Sequence, residues 1–464
     1  MVAAALYLAL LQGPPPTITP KIATARDWVV RLAREMGDSI WPGFRPDTIP
    51  VLYVVPGQGT LLLGWPGNLP PGFLPIAGLE GSGWEASADP GAASTSTELA
   101  GRATAQVVVN DSMSVAFLVG TTTHEAFHVF ERASRQDGQR FGAAENSFLV
   151  SRYPVFDSTN ETGVALEGRI LQAAVQAPAK ARKRTLVREF VAVREARQRA
   201  LGTELADFEQ QAELNEGLAE YTLVRAVQLV ARQGDFPDKQ AATKLQTGKI
   251  AELGSLTQNV TQSLRLRFYV TGPALGLLLD ALEGPKWKTH LVAEDLTVQD
   301  ELADAAGYRA QELALRRQAD TSFGIDKLRS AADSNVHRLR AIRKAQVDSI
   351  LAAPGVQLVV SVDGFIGLCG IDPQNLLQVD SNVLLHTRWL RACAGDALQA
   401  TFNTPVVQDQ SAHVLRAVVG ADSTVKVTTP APGEVQIESP LVSLHAKQAE
   451  VSRDGRVLTV KIKS

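Results

Sequence analysis

Two histidines four residues apart in an apolar stretch constrain this chain more than any other feature. His124-Glu125-Ala126-Phe127-His128 lies within Val115 to Phe130, a helix-compatible run. Residues i and i+4 of a helix share one face. Both imidazoles can therefore turn a nitrogen toward a single ion, and Glu125 beside them can reach a water on that ion. The alternative is a buried helix whose two histidines are simply satisfied polar groups. With seven histidines in the chain, the spacing alone does not choose between the two readings, because short motifs also arise by chance.

A third ligand decides the matter, since catalytic zinc keeps three protein ligands and one open position. No histidine follows at close spacing; the next is His290. A carboxylate must complete the set, and Asn215-Glu216-Gly217-Leu218-Ala219-Glu220-Tyr221 offers two, one helical turn apart. One can bind the ion while the other accepts a hydrogen bond from a ligating imidazole and fixes its tautomer. The competing reading is a solvated acidic helix face. Further on, Tyr269-x-x-Gly272 opens an apolar segment that runs to Leu282. In this order the three elements resemble the gluzincins, the thermolysin-like and aminopeptidase-like zinc peptidases. The resemblance implies a Zn2+ cofactor held by His124, His128 and Glu216, with Glu125 as general base. It also implies that Glu220 stands behind His124, that Tyr269 donates to the oxyanion, and that the substrate is a peptide or protein. A metal-dependent hydrolase of another substrate, or a catalytically silent scaffold on the same helices, are the alternatives.

The chain departs from that family in two places. Eighty-eight residues separate His128 from Glu216, where typical gluzincins have a few tens or fewer, and the interval reads as inserted helices. The G-x-M-E-N run of the aminopeptidase branch is absent upstream. Gly142-Ala143-Ala144-Glu145-Asn146 is similar but lies downstream, lacks Met and reads as a loop, so exopeptidase specificity has no support. Glu131 and Glu167 are competing carboxylate ligands, and His290 is the next candidate should Tyr269 be a core residue.

Composition narrows the rest. An apolar content of 45% in 464 residues supports two or three cored domains, and a net charge of −3 gives no sign of a nucleic-acid partner. No run is long and apolar enough for a transmembrane helix. Val2 to Leu11 is similar to the apolar core of a signal peptide, though no basic segment precedes it. Export to a periplasmic or extracellular space is the expectation, with a cytoplasmic location as the alternative. Cys369 and Cys393 are the only two cysteines, and they form either a disulfide or two buried thiols. Neither a P-loop nor a G-x-S-x-G elbow occurs.

The predicted architecture is α+β. Residues 1–20 read as a signal peptide or a disordered N-terminus, 21–354 as the zincin-like catalytic domain that the resemblance implies, and 355–464 as a C-terminal β domain. Within the catalytic domain, 21–115 mixes one helix, Ala25 to Met36, with strand-like runs and Gly- and Pro-rich turns; the resemblance implies that Ala105 to Asn110 lies at a sheet edge beside the helix of His124 and His128. The part over 116–354 shows apolar positions recurring every three and four residues. From Val356 the period changes to two, with Asp454-Gly455 marking a hairpin.

Overall fold

The computed structural model describes residues 15–87, 93–257, 264–309 and 312–463. The apolar run Val2 to Leu11 lies outside the described residues. Among the described residues no helix is long and apolar enough to cross a membrane. The fold is α+β and divides into two compact units. One comprises Met1–Glu145, Glu167–Ser255 and Phe268–Phe323; the other comprises Asn146–Leu166, Leu256–Arg267 and Gly324–Ser464.

The first unit begins with the helix Thr19–Met36 and then a sheet of six strands: β1 Val51–Val55, β2 Gly59–Leu63, β3 Leu74–Pro75, β4 Gly83–Glu85, β5 Thr95–Leu99 and β6 Arg102–Val108. Their order is β3-β4-β2-β1-β6-β5. All five residues of β1, Val-Leu-Tyr-Val-Val, are buried, which fits a central strand covered on both faces. β1 runs parallel to β6, whereas β5 and β6 form an antiparallel hairpin. The expected edge at Ala105 to Asn110 is thus corrected. Its strand residues belong to β6, which has partners on both sides, and β5 is the outer strand. The run lies closest in sequence to the helix of His124 and His128, but parallel pairing with β1 draws it inward.

After β6 the chain turns into the histidine helix, Val115–Ser134, capped by Ser114, whose Oγ accepts from the Phe117 N–H at 3.1 Å. This cap satisfies one of the donors that every helix start leaves open. The helix packs under β6 and β5 and against the helix Leu218–Ala231. Tyr53, buried on β1, bonds the Thr122 Oγ1 at 2.9 Å and fixes the helix beneath the sheet. Gly120 permits the close approach of the two helices, since a Cβ there would lie 2.8 Å from the Leu223 Cγ. On another side, Phe127 meets Trp41, Phe44, Phe130 and Phe141 ring to ring. The 88-residue interval is largely helical, with helices Ser158–Gln176, Lys180–Leu201 and Thr203–Ala212.

In the second unit the helix Ile325–Ala352 precedes two sheets, of seven and six strands among the described residues. The strand Gln357–Val362 alternates half-buried and buried positions, as period two requires of a strand with one face on a core. Val360, Leu415 and Val460 from the larger sheet pack in one apolar core with Leu398, Phe402, Ile437 and Leu444 from the smaller. Ala449–Asp454 and Val457–Ile462 pair as a hairpin through Gly455. Cys369 and Cys393 form a disulfide with their Cα atoms 5.9 Å apart.

Candidate metal centre

His124 and His128 lie one turn apart on the histidine helix, both buried, with Glu125 buried between them. Their rings are 4.9 Å apart at 77°, and their Nε2 atoms face each other at 3.2 Å. A carboxylate oxygen from a distant part of the chain joins them. Glu216 Oε2 is 3.7 Å from the His124 Nε2 and 3.5 Å from the His128 Nε2. Three donors on a tetrahedron with arms of roughly 2.1 Å would stand about 3.4 Å from one another. The observed separations of 3.2, 3.5 and 3.7 Å bracket that edge. The buried group His124, His128 and Glu216 can therefore hold a metal ion.

Each imidazole has a carboxylate at its other nitrogen. Glu220 Oε2 is 2.9 Å from the His124 Nδ1, an ion-pair distance, though the approach is off the ideal hydrogen-bond direction. Glu131 Oε1 is 2.9 Å from the His128 Nδ1. An Nδ1–H held by a carboxylate leaves the Nε2 lone pair for an ion and makes it more basic. Lys249 lies behind Glu220, with its Nζ 2.8 Å from Oε1.

The charge balance agrees with this geometry. Burial alone would depress the His124 imidazole, but Glu216 and Glu220 outweigh it and raise its pKa to about 9. Burial likewise opposes charge on His128, and Glu216 and Glu131 carry it well above its ordinary value. Glu125 is pushed up chiefly by burial, as is Glu131, against the pull of the histidines. For Glu220 burial acts upward, but His124 and Lys249 prevail and lower it. Four buried carboxylates thus surround two imidazoles. The field that makes these imidazoles hold protons also favours a divalent cation, which binds by displacing those protons.

Glu216 sits in a wide i→i+5 turn, Glu213–Gly217, between the helices Thr203–Ala212 and Leu218–Ala231. Such turns are rare and recur at functional sites. Tyr269, half-buried on the helix Leu266–Glu283, stacks on His124 with ring centroids 5.6 Å apart and planes 15° from parallel. The structure therefore brings together His124, Glu125, His128, Glu216, Glu220 and Tyr269.

The remaining candidates are engaged elsewhere. Glu167 pairs with Arg194 and Arg197. His290 is half exposed and pairs with Glu301 at 2.7 Å. Glu145 lies in a loop, buried, and accepts from the Asn215 Nδ2 at 2.5 Å. Glu131, a rival ligand on sequence grounds, instead holds His128 from behind. Its spacing of three from His128 puts it on the same helical face, which is the sequence signal for that role. Lys249 gave no such signal, because nothing local ties it to Glu220.

No protein-family model matches the chain, and no curated protein or solved structure is significantly similar to it.

Proposed function

We propose that this chain is a zinc-dependent hydrolase that cleaves peptide bonds. The observation that carries the proposal is the convergence of the His124 Nε2, the His128 Nε2 and the Glu216 Oε2, with Glu125 buried beside them. Two imidazoles and one carboxylate are a donor set of catalytic zinc, which leaves the fourth position open. When bound, zinc supplies Lewis acidity, polarising the scissile carbonyl and making a water acidic.

The chain's own residues perform the proton transfers. Glu125 accepts a proton from the attacking water at its carboxylate and delivers it to the departing amine. Its burial raises its proton affinity, bringing it closer to what a base working near neutral pH needs. The Tyr269 hydroxyl donates to the developing oxyanion, and the stacking of its ring on His124 keeps it beside the ligands. Glu131 and Glu220 hold the two imidazoles in the orientation that aims Nε2 inward. β5, the outer strand of the sheet, packs against the histidine helix and offers backbone groups to an extended peptide.

The test is metal analysis of the purified chain together with cleavage of a quenched peptide library, with and without a chelator. The expected result is about one zinc per chain and cleavage that the chelator abolishes and zinc restores. A zinc-loaded chain that cleaves no member of the library would overturn the peptidase reading.

A further inference from the structure

Five charged side chains are buried together beside the turn that carries Glu216. Glu167, Glu209 and Glu213 meet Arg194 and Arg197. The Arg194 Nη1 lies 2.9 and 2.7 Å from the two oxygens of Glu213, and its Nε lies 2.9 Å from Glu167. Arg197 reaches Glu167 at 2.5 Å and Glu209 at 2.7 and 2.9 Å. Buried charges are costly and persist only when well paired, so such a cluster calls for a reason.

Two of its contacts lead to the metal centre. Glu213 opens the wide turn Glu213–Gly217 in which Glu216 sits. In a regular α-helical turn Glu213, three residues earlier, would lie close to the face of Glu216. The wider turn directs Glu213 to Arg194 and Glu216 to the histidines. The second contact is Thr271, whose Oγ1 donates to the Glu213 Oε1 at 2.8 Å. Thr271 is two residues past Tyr269 on the same helix. The two backbones also touch here, since a Cβ on Gly272 would fall 2.2 Å from the Gly217 Cα. Pro273 sits inside that helix and has no N–H to give the Tyr269 carbonyl. The helix's own hydrogen bonding is therefore weakened at Tyr269, and neighbouring contacts must fix its position.

We propose that Glu213, clamped by Arg194 and Thr271, is a positioning residue that holds the wide turn and so keeps the Glu216 carboxylate at ion-sharing distance from the two imidazoles. The same clamp ties the Tyr269 helix to the turn. This rests on the reading of His124, His128 and Glu216 as a metal site.

The test compares Glu213→Gln with Glu209→Gln in the full chain. Each replaces a buried, arginine-paired carboxylate of the same cluster by its isosteric amide, so both should lower the Tm. The readouts are zinc affinity by competition and the visible absorption of the cobalt-substituted protein, which reports the geometry of the ligands. Glu213→Gln should weaken zinc binding by roughly 10–100-fold, as is usual for supporting groups, and shift the cobalt bands. Glu209→Gln should do neither. Wild-type affinity and spectrum in Glu213→Gln, or equal losses in both variants, overturns the proposal. If Glu213→Gln does not fold, Thr271→Val removes one arm of the clamp and keeps the shape. It should weaken zinc several-fold, and wild-type affinity there overturns the proposal as well. A wild-type chain that takes up neither zinc nor cobalt would remove the metal reading and this proposal with it. Binding by the wild type with an unaffected Glu213→Gln would remove the proposal alone.

Discussion

Both units bury histidine, to opposite effect. In the helical unit, His124 and His128 are surrounded by Glu125, Glu131, Glu216 and Glu220, and their pKa values rise. In the β unit, His386 is as deeply buried, but its Nε2 donates to the neutral Gln408 amide oxygen at 3.0 Å, and burial drives its pKa down to about 4. Desolvation opposes charge in both places; the carboxylates reverse its effect in one. A buried histidine by itself is therefore no sign of a site. A buried histidine among an excess of buried carboxylates is a candidate for one, because that surrounding gains from a cation.

The largest difference between the two units is expected from the proposed base in the acidic surround of the helical unit. Glu125→Gln keeps the shape but cannot accept a proton. Steady-state kinetics should show kcat lower by about 10²–10⁴-fold, with bound zinc and Tm near wild type. Retained turnover excludes Glu125 as the base.

Tyr269→Phe removes one oxygen and keeps the ring on His124. If the hydroxyl stabilises the oxyanion, kcat should fall roughly 10²–10³-fold while KM moves little. A merely structural Tyr269 would show the reverse pattern, with lost thermal stability and normal turnover.

The β unit makes the complementary prediction. The folded His386 pKa is near 4 and the unfolded value is near 6.5, so between these pH values the unfolded state binds more protons. Stability from this group is complete above about pH 6.5 and is lost as pH falls toward 4, by about 3 kcal/mol in total. Denaturant unfolding followed by a probe in the β unit should show the decline, and His386→Gln should flatten it. A slope unchanged in the variant would assign the acid sensitivity to other groups.

The smallest effect concerns the carboxylates behind the ligands. Glu131→Ala and Glu220→Ala should each weaken zinc by about 10–100-fold. The two differ in that Glu220 also faces Lys249, whereas the second oxygen of Glu131 is buried without a hydrogen-bond partner. Removing Glu220 therefore leaves the Lys249 ammonium with only the half-exposed Glu252, whereas removing Glu131 relieves an unsatisfied oxygen. Glu131→Ala should cost less stability in a thermal melt than Glu220→Ala, and the opposite order would contradict the charge balance drawn for the site.

Much of the scaffold was legible from local pattern. The helical spacing of His124 and His128 follows from 3.6 residues per turn, whereas Glu216 lies in the wider turn that precedes the α-helix of Glu220. The strand Gln357–Val362 follows from a period of two, and the hairpin at Gly455 from its turn residues. These depend on interactions between near neighbours, which any stretch of sequence carries with it.

Tertiary structure decided what lies across long separations. It brought Glu216 to within 3.7 Å of histidines 88 and 92 residues earlier in the chain, and chose the disulfide over two thiols. It placed β6 inside the sheet and β5 at its edge, and set Arg194 and Thr271 on Glu213. Residue type and spacing show which groups can bind an ion or pair with a charge. Which of them meet is settled by the packing of elements, where many carboxylates of similar local appearance compete and only the fold's topology distinguishes Glu216 from Glu167.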